Sequence, residues 1–409
     1  MKKILFYTDC RFFAGCENML IQLDNSVEIK KIYKTYFYYR YSKFYLKGLK
    51  NRTTSYKNWI PLYFFDFSNP DFLSLQIPIK IRRFIMFIIR RFFNIFLITY
   101  EIFIFRRLFK KMRPDIIHIN CGGFPPSLSH RACVISGALF SDAKIIAVIN
   151  NVPNGYKKFS RKLDFFNDKI FFYLVDKFIT GSKYNQKNLY TMSKLKMSSI
   201  KSIVNGVAIR DFDETYFEKN KYKKKYNDEI YFGVVGLLIP RKGHEIIINA
   251  VKILKDSEPK IYNRIKIFID GEGDDLDKLK NKIEILELND KFIFVGLTKK
   301  IFSFLNFIDV LIFSSIADED FPNINLEAMS LSKPIIASKI AGVEEQVIHH
   351  TNGLLYEKGD SNGIAKNIKY LFENQDLIMK FGKSGKKIYE NKFSPKPTIA
   401  RYLDFYQNL

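Results

Sequence analysis

Short, uninterrupted apolar runs that alternate with helical stretches constrain this chain more than any other feature. In the second half such runs occupy 230–236 (IYFGVVG), 265–271 (IKIFIDG), 292–296 (FIFVG), 309–315 (DVLIFSS) and 333–338 (KPIIAS). Between two of them, the stretch 244–254 places Ile247, Ala250, Val251 and Leu254 on one helical face. Strands that are apolar on both faces must be covered on both faces, which means a parallel sheet between two helical layers. The first half keeps a similar beat at 3–8, 115–120, 144–150, 177–181 and 201–204. The pattern predicts an α/β chain of two Rossmann-like, doubly wound domains in tandem.

The length of 409 residues suits two such domains. A polar, charged stretch at 205–231 marks the junction, so the expected domains are 1–205 and 206–390. Residues 391–409 are expected to form a C-terminal helix that packs back on the first domain. Cys10, Cys16, Cys121 and Cys133 show no CxxC spacing; they read as reduced structural thiols, not as a disulfide framework or a zinc site. Four apolar residues after Met1, Lys2 and Lys3 are too few for a secretion signal, and no apolar run approaches the ~18 residues of a spanning helix. These features predict a cytoplasmic protein.

Charge divides the chain unevenly. Residues 1–200 hold 34 Lys/Arg against 12 Asp/Glu, a net +22, whereas the rest hold 32 against 30. A strongly basic half attracts phosphates: nucleic acid, anionic headgroups or a pyrophosphate-linked substrate. No nucleic-acid-binding motif accompanies the charge, so no nucleic-acid partner is expected.

In open α/β sheets ligands bind beyond the carboxyl ends of strands. The sharpest motif there runs from Glu319 through Asp320, Phe321, Pro322, Asn323, Ile324, Asn325 and Leu326 to Glu327. It puts one glutamate in a loop and another inside the following helix, so two carboxylates at different depths face one pocket. Ionised carboxylates suit the hydroxyl donors of sugar and ribose. The plainer reading is an acidic loop ahead of a helix. A second motif, from Gly236 to His244, places Arg241 and Lys242 at a helix start. Cations are poorly placed there for the helix dipole unless both serve an anion such as a diphosphate; a solvated basic turn is the other reading. His118, at 115–118 (DIIH), is either a packing or a ligand-binding histidine. The glycine pairs lack a GxGxxG continuation, and no P-loop, HExxH or GxSxG occurs.

Together these pieces resemble the retaining glycosyltransferases of the GT-B fold, in glycosyltransferase family 4 (glycosyl transferases group 1). The resemblance is detailed from about residue 176 onward. It is carried by Ser182, Asn205-Gly206-Val207, Lys242-Gly243, Gly271-Glu272-Gly273, Glu319 to Met329, Pro334 to Ala337, 342–345 and Asn352-Gly353. In the first half Gly15-Cys16-Glu17 looks like the family's Gly-Gly-x-Glu loop, with Ala14 in place of one glycine. The resemblance implies two domains facing a cleft that holds a nucleotide sugar, UDP- or GDP-linked. Lys242, with Glu319, would be catalytic: Lys242 neutralises the donor diphosphate and Glu319 touches the transferred sugar. Gly15, Arg241, Gly271, Phe321, Pro322, Asn323, Ile324, Asn325 and Glu327 would hold the donor, Glu327 at the ribose. No metal or other cofactor is implied, and transfer of a hexose-type sugar would retain the anomeric configuration. Two positions depart from the family: Leu237 stands where relatives carry arginine, and Asn150-Asn151 where relatives often carry histidine. A catalytically weak protein that binds a sugar nucleotide or a protein partner is the alternative.

In the segment 79–113, nine Lys/Arg occur from Arg82 to Arg113, against Glu101 alone. At 100° per residue Arg82, Arg83, Arg90 and Arg91 share a half-circle, and Arg106, Arg107 and Lys110 lie mostly opposite. Either a break near Asn94 separates two amphipathic pieces, or one helix is apolar on several sides. An in-plane membrane helix and a core helix with snorkelling arginines both fit. With the basic half, the segment leads us to expect a peripheral protein on the inner face of the plasma membrane. Its acceptor would be a polyprenyl-diphosphate-linked glycan of bacterial capsule, O-antigen or exopolysaccharide synthesis.

Overall fold

The computed structural model describes residues 1–11, 13, 15–65, 79–153, 155–156, 159–210, 212–219, 222, 228–317 and 319–409; for 79–92, 159–160 and 218–219 only the backbone is described. The chain forms two units, Met1–Ile203 with Tyr402–Leu409, and Val204–Arg401.

The first unit holds seven strands: β1 (Lys2–Thr8), β2 (Tyr33–Arg40), β3 (Trp59–Leu62), β4 (Ile116–Asn120), β5 (Lys144–Ile149), β6 (Lys177–Thr180) and β7 (Ile200–Ser202). They lie in the order β3-β2-β1-β4-β5-β6-β7, every pair parallel. The second unit holds β8 (Ile230–Val235), β9 (Ile265–Asp270), β10 (Phe292–Gly296), β11 (Val310–Phe313), β12 (Ile335–Lys339) and β13 (Gly353–Glu357). Their order, β10-β9-β8-β11-β12-β13, repeats the same winding, again all parallel. The two doubly wound sheets expected from the sequence are both present.

Alternation along buried strands builds two apolar layers per sheet. In β8, Phe232 and Val234 join the layer under the helix His244–Ser257, while Tyr231 faces the opposite layer with Phe268 and Phe304. Three strands escaped the sequence pattern. The run YKTYFYYR of β2 mixes aromatic and polar residues, and β3 is a four-residue edge strand with Pro61, a residue tolerated at an edge. β13 is the other sheet's edge and is likewise short.

The segment around 79–113 is one helix, Ile79–Met112, so no break separates two pieces near Asn94. It contains neither glycine nor proline, the usual causes of a sharp kink. Phe105 and Phe109 are buried in the first unit's core, whereas Phe93, Ile95, Phe96, Tyr100 and Phe103 are exposed. From Phe93 onward the helix is thus apolar on more than one side. Glu101 is buried, and desolvation pushes its carboxyl up to about 7. The side chains of Arg82, Arg83, Arg90 and Arg91 lie outside the described residues. No helix among the described residues is long and apolar enough to cross a membrane.

The last helix, Pro395–Gln407, begins in the second unit and ends in the first. Its Tyr402 and Tyr406 are buried, and Tyr406 Oη lies 2.8 Å from His118 Nδ1. Burial lowers the His118 pKa to about 3, so its ring stays neutral. His118 sits inside β4 and packs on Phe6, which makes it a packing histidine.

Candidate active site

A doubly wound sheet opens a crevice where successive strands turn to opposite sides. In the second unit that point lies between β8 and β11. The loops leaving these two strands carry the two motifs singled out in the sequence, so the topology brings them together although some 75 residues separate them.

After β8 the chain passes the exposed Leu237 and makes one 3₁₀ turn, Pro240–Lys242, before the helix His244–Ser257. Gly243 joins turn and helix at φ +70°, and a Cβ there would collide with the carbonyl oxygen of Ser314. Only glycine allows both the left-handed backbone and the close approach. Two hydrogen bonds to backbone carbonyls then sew the loops together: Ser314 Oγ donates to the Lys242 carbonyl at 2.8 Å, and the Ile316 amide to the Arg241 carbonyl at 2.9 Å.

Across this seam the side chains of Arg241 and Lys242 converge on Glu319. Arg241 Nη1 lies 2.7 Å from Glu319 Oε1, and Lys242 Nζ bonds the same oxygen. The Lys242 stem lies beside Gly236, where an added Cβ would touch its Cδ and Cε at 3.5 Å. Glu319 and Lys242 keep 15% and 17% of their side-chain surface, so the pair is partly desolvated; Arg241 keeps 36%. Two cations on one carboxylate leave a net positive charge, next to the N-terminus of the helix His244–Ser257, where the N-cap residue makes no side-chain cap bond. An anion entering here meets both attractions at once.

The rest of the acidic motif is set by polar contacts. Glu319 is in the loop, and Pro322 precedes the helix Asn323–Ser330, which carries Asn325 and Glu327. Gln346 fixes this corner: its amide donates to the Pro322 carbonyl at 3.1 Å and accepts from Asn325 Nδ2 at 2.9 Å. Phe321 is buried against Phe393, and Ile324 packs on the same apolar layer. Glu327 is largely buried and pairs with Arg210 at 3.5 Å; the Arg210 guanidinium also lies over the Phe302 ring.

Gly271 follows β9, and a Cβ there would strike the Gly236 carbonyl oxygen, so the β8 and β9 loops pack backbone to backbone. Just before it, Asp270 is buried, and desolvation lifts its carboxyl to about 7. One oxygen accepts from the Thr298 amide at 3.1 Å; the other has no partner among the described residues. His244 bonds the Leu237 carbonyl at 3.1 Å, and burial lowers its pKa.

The first unit has the equivalent switch point between β1 and β4. Gly15 accepts from the Asn18 amide where the helix Glu17–Asn25 begins. Glu17 is fully buried and accepts from Thr8, Tyr45 and Asn120. Asn150 donates to Asn120 Oδ1 at 2.6 Å.

The structure therefore gathers Arg241, Lys242 and Glu319 into one cluster and sets Phe321, Pro322, Asn323, Ile324, Asn325 and Glu327 on the adjoining loop and helix. Gly15 belongs to the other unit. Sequence reasoning missed Arg210, Gln346 and Asp270. Arg210 lies in the charged stretch read as a junction, Gln346 acts only through tertiary contacts, and Asp270 ends an apolar strand where a lone acid carries no pattern.

Residues 216–388 match the family model of Glycosyl transferases group 1, which supports a domain of that kind in this stretch. Over 258 residues the chain is 30% identical to an uncharacterized glycosyltransferase of Methanocaldococcus jannaschii, covering 62% of this chain and 64% of that one. It is 29% identical over 195 residues to the capsular polysaccharide biosynthesis glycosyltransferase CapM of Staphylococcus aureus, 46% of this chain and 49% of that one. The chain thus spans about half to two thirds of the length of these curated relatives. Among solved structures, Anabaena HepE in complex with UDP superposes with a TM-score of 0.75 at 17% identity, covering 100% of both chains. A sucrose-phosphate synthase from Thermosynechococcus elongatus gives 0.73 at 16%, covering 100% of this chain and 99% of that one. At such identities the likeness speaks for the fold, and it agrees with the two doubly wound domains described above.

Proposed function

We propose that this chain is a glycosyltransferase that moves a hexose-type sugar from a nucleoside-diphosphate sugar onto a lipid-linked glycan of bacterial surface-polysaccharide synthesis. The observation that carries the reading is the Arg241–Lys242–Glu319 cluster at the switch point of the second sheet. A leaving diphosphate needs charge neutralisation, and without a metal it must come from side-chain cations and helix amides. Lys242 and Arg241 stand at such a place, in front of the helix His244–Ser257. Glu319 holds both cations in the unliganded protein. In the reaction the diphosphate takes over part of that role, and Glu319 turns to the hydroxyls of the sugar. The C1–oxygen bond to the diphosphate breaks, the acceptor oxygen attacks C1 from the same face, and its proton passes to the leaving phosphate oxygen. Glu327, backed by Arg210, receives the ribose. Support for a uridine donor comes from HepE, which was solved with UDP, with UDP and glucose, and with UDP-glucose. CapM and a lipopolysaccharide core glycosyltransferase of Rhizobium meliloti support the surface-glycan setting.

The acceptor side of the proposal rests on the first unit. Its +22 charge and the exposed Phe93, Ile95, Phe96, Tyr100 and Phe103 of the long helix suit a cytoplasmic membrane face. Exposed Phe165, Phe166, Ile170 and Tyr173, on the helix Phe165–Leu174, add apolar surface. Leu237, exposed where the family resemblance implies an arginine, favours a second reading: a protein that binds the sugar nucleotide but turns it over slowly. Protection against thermal unfolding, screened with UDP-, GDP- and ADP-sugars, tests the donor class. No protection by any of them would refute donor binding, and protection without turnover would select the second reading.

A further inference from the structure

The junction between β1 and the helix Glu17–Asn25 holds a cluster that the transfer reaction leaves unused. Cys10 lies two residues beyond β1, and Cys16 immediately precedes the helix. Their thiol sulfurs and one Glu17 carboxylate oxygen all lie within 4.8 Å of one another. Both cysteines are free, and five intervening residues hid their proximity from the sequence.

Glu17 is 0% exposed, and no ion pair reaches it among the described residues. Its carboxylate accepts instead from Tyr45 Oη at 2.7 Å, Thr8 Oγ1 at 2.9 Å and Asn120 Nδ2 at 3.0 Å, with Cys16 Sγ at 3.7 Å. The Cys10 thiol bonds both Cys16 and Glu17.

We propose that Cys10, Cys16 and Glu17 form a binding site for a thiophilic divalent cation of the zinc class. Two soft sulfurs and one carboxylate oxygen are a donor set such ions accept. A tetrahedral ion with about 2.3 Å to sulfur and about 2.1 Å to oxygen holds these donors about 3.6 Å apart. The 3.7 Å between Cys16 Sγ and Glu17 Oε1 already matches that spacing. Binding exchanges two thiol protons, released to solvent, for one dication, so the charge of the buried site does not change. Tyr45, Thr8 and Asn120 hold the carboxylate in place, as outer contacts do for metal-ligating acids. Water completes the coordination. The ion takes no part in sugar transfer; it ties the end of β1 to the first helix.

The test uses the full-length, reduced, metal-free protein titrated with Co²⁺, which reports sulfur ligation through a thiolate-to-metal charge-transfer band. The expected result is one Co²⁺ per chain, displaced by Zn²⁺, with two protons released. Cys16→Ser should weaken binding at least ten-fold and remove most of the band, while Cys133→Ser, at a thiol outside the cluster, should leave both unchanged. Alkylation mapped by mass spectrometry gives an independent readout in the wild type: Zn²⁺ should shield Cys10 and Cys16. Absence of a charge-transfer band in the wild type, a band that survives the Cys10→Ser/Cys16→Ser pair, or alkylation of Cys10 and Cys16 unaffected by Zn²⁺ would each overturn the proposal.

Discussion

Replacing Lys242 with alanine probes the proposed donor site most directly. Lys242 Nζ shares Glu319 Oε1 with Arg241, whose own contact is 2.7 Å. Truncation therefore leaves the carboxylate paired, and the fold should lose no more than about 1 kcal/mol, the scale of a partly exposed ion pair. Binding is a different matter. A diphosphate held by Lys242 loses one charge-assisted bond, about 1.5–3 kcal/mol, which is roughly a 10- to 150-fold rise in Kd. Calorimetry with the nucleoside diphosphate whose sugar gives thermal protection measures this, and unfolding curves of the same samples check the fold. The companion Arg241→Ala asks whether Arg241 supplies the charge absent at Leu237; if so, it weakens binding comparably. Unchanged affinity in Lys242→Ala would refute the diphosphate assignment, and a normal Arg241→Ala would end the compensation idea.

The two glutamates should separate. Glu319→Gln is expected mainly to lower kcat and Glu327→Gln mainly to weaken nucleotide binding, with Arg210→Ala following Glu327→Gln; near-normal turnover in both glutamate variants would sink the assignment. Asp270 gives a pH signature. Its carboxyl is lifted to about 7, so the folded protein binds that proton more tightly than the unfolded chain does. The associated stability is full below about pH 4 and is lost as pH rises through about 7. Ionised at pH 8, the buried group costs at most about 4 kcal/mol. Asp270→Asn should thus raise Tm relative to wild type at pH 8 and less so at pH 5; a difference constant with pH contradicts this. For the membrane, cosedimentation with anionic liposomes should exceed that with neutral ones and fall in high salt, each nearby Lys/Arg contributing about 1 kcal/mol. Exchanging Arg82, Arg83, Arg90 and Arg91 for Gln should reduce it, and a wild-type protein that ignores anionic liposomes at low salt would redirect the basic half to another partner.

Much of the candidate site was legible because short stretches carry it. Lys242-Gly243 and Glu319 to Glu327 each combine a strand end, a turn and a helix start, and local spacing suffices to recognise them. Arg210, Gln346 and Asp270 were not legible, because each matters through contacts distant in the chain: Glu327 and Phe302, Pro322 and Asn325, and the Thr298 amide. Cys10 and Cys16 belong with them, since no regular spacing announces a pair brought together by a loop.

By itself the sequence determined the two parallel α/β units, since runs apolar on both faces have no other stable arrangement than a sheet covered on both sides. It also determined the uneven charge, which is a sum over residues. Tertiary structure decided the rest. Strand order placed the loops after β8 and β11 side by side, so that Arg241 and Lys242 met Glu319. Packing put His118 in a core with Tyr402 and Tyr406. These outcomes depend on contacts between residues far apart in the chain, and local periodicity holds no record of such contacts.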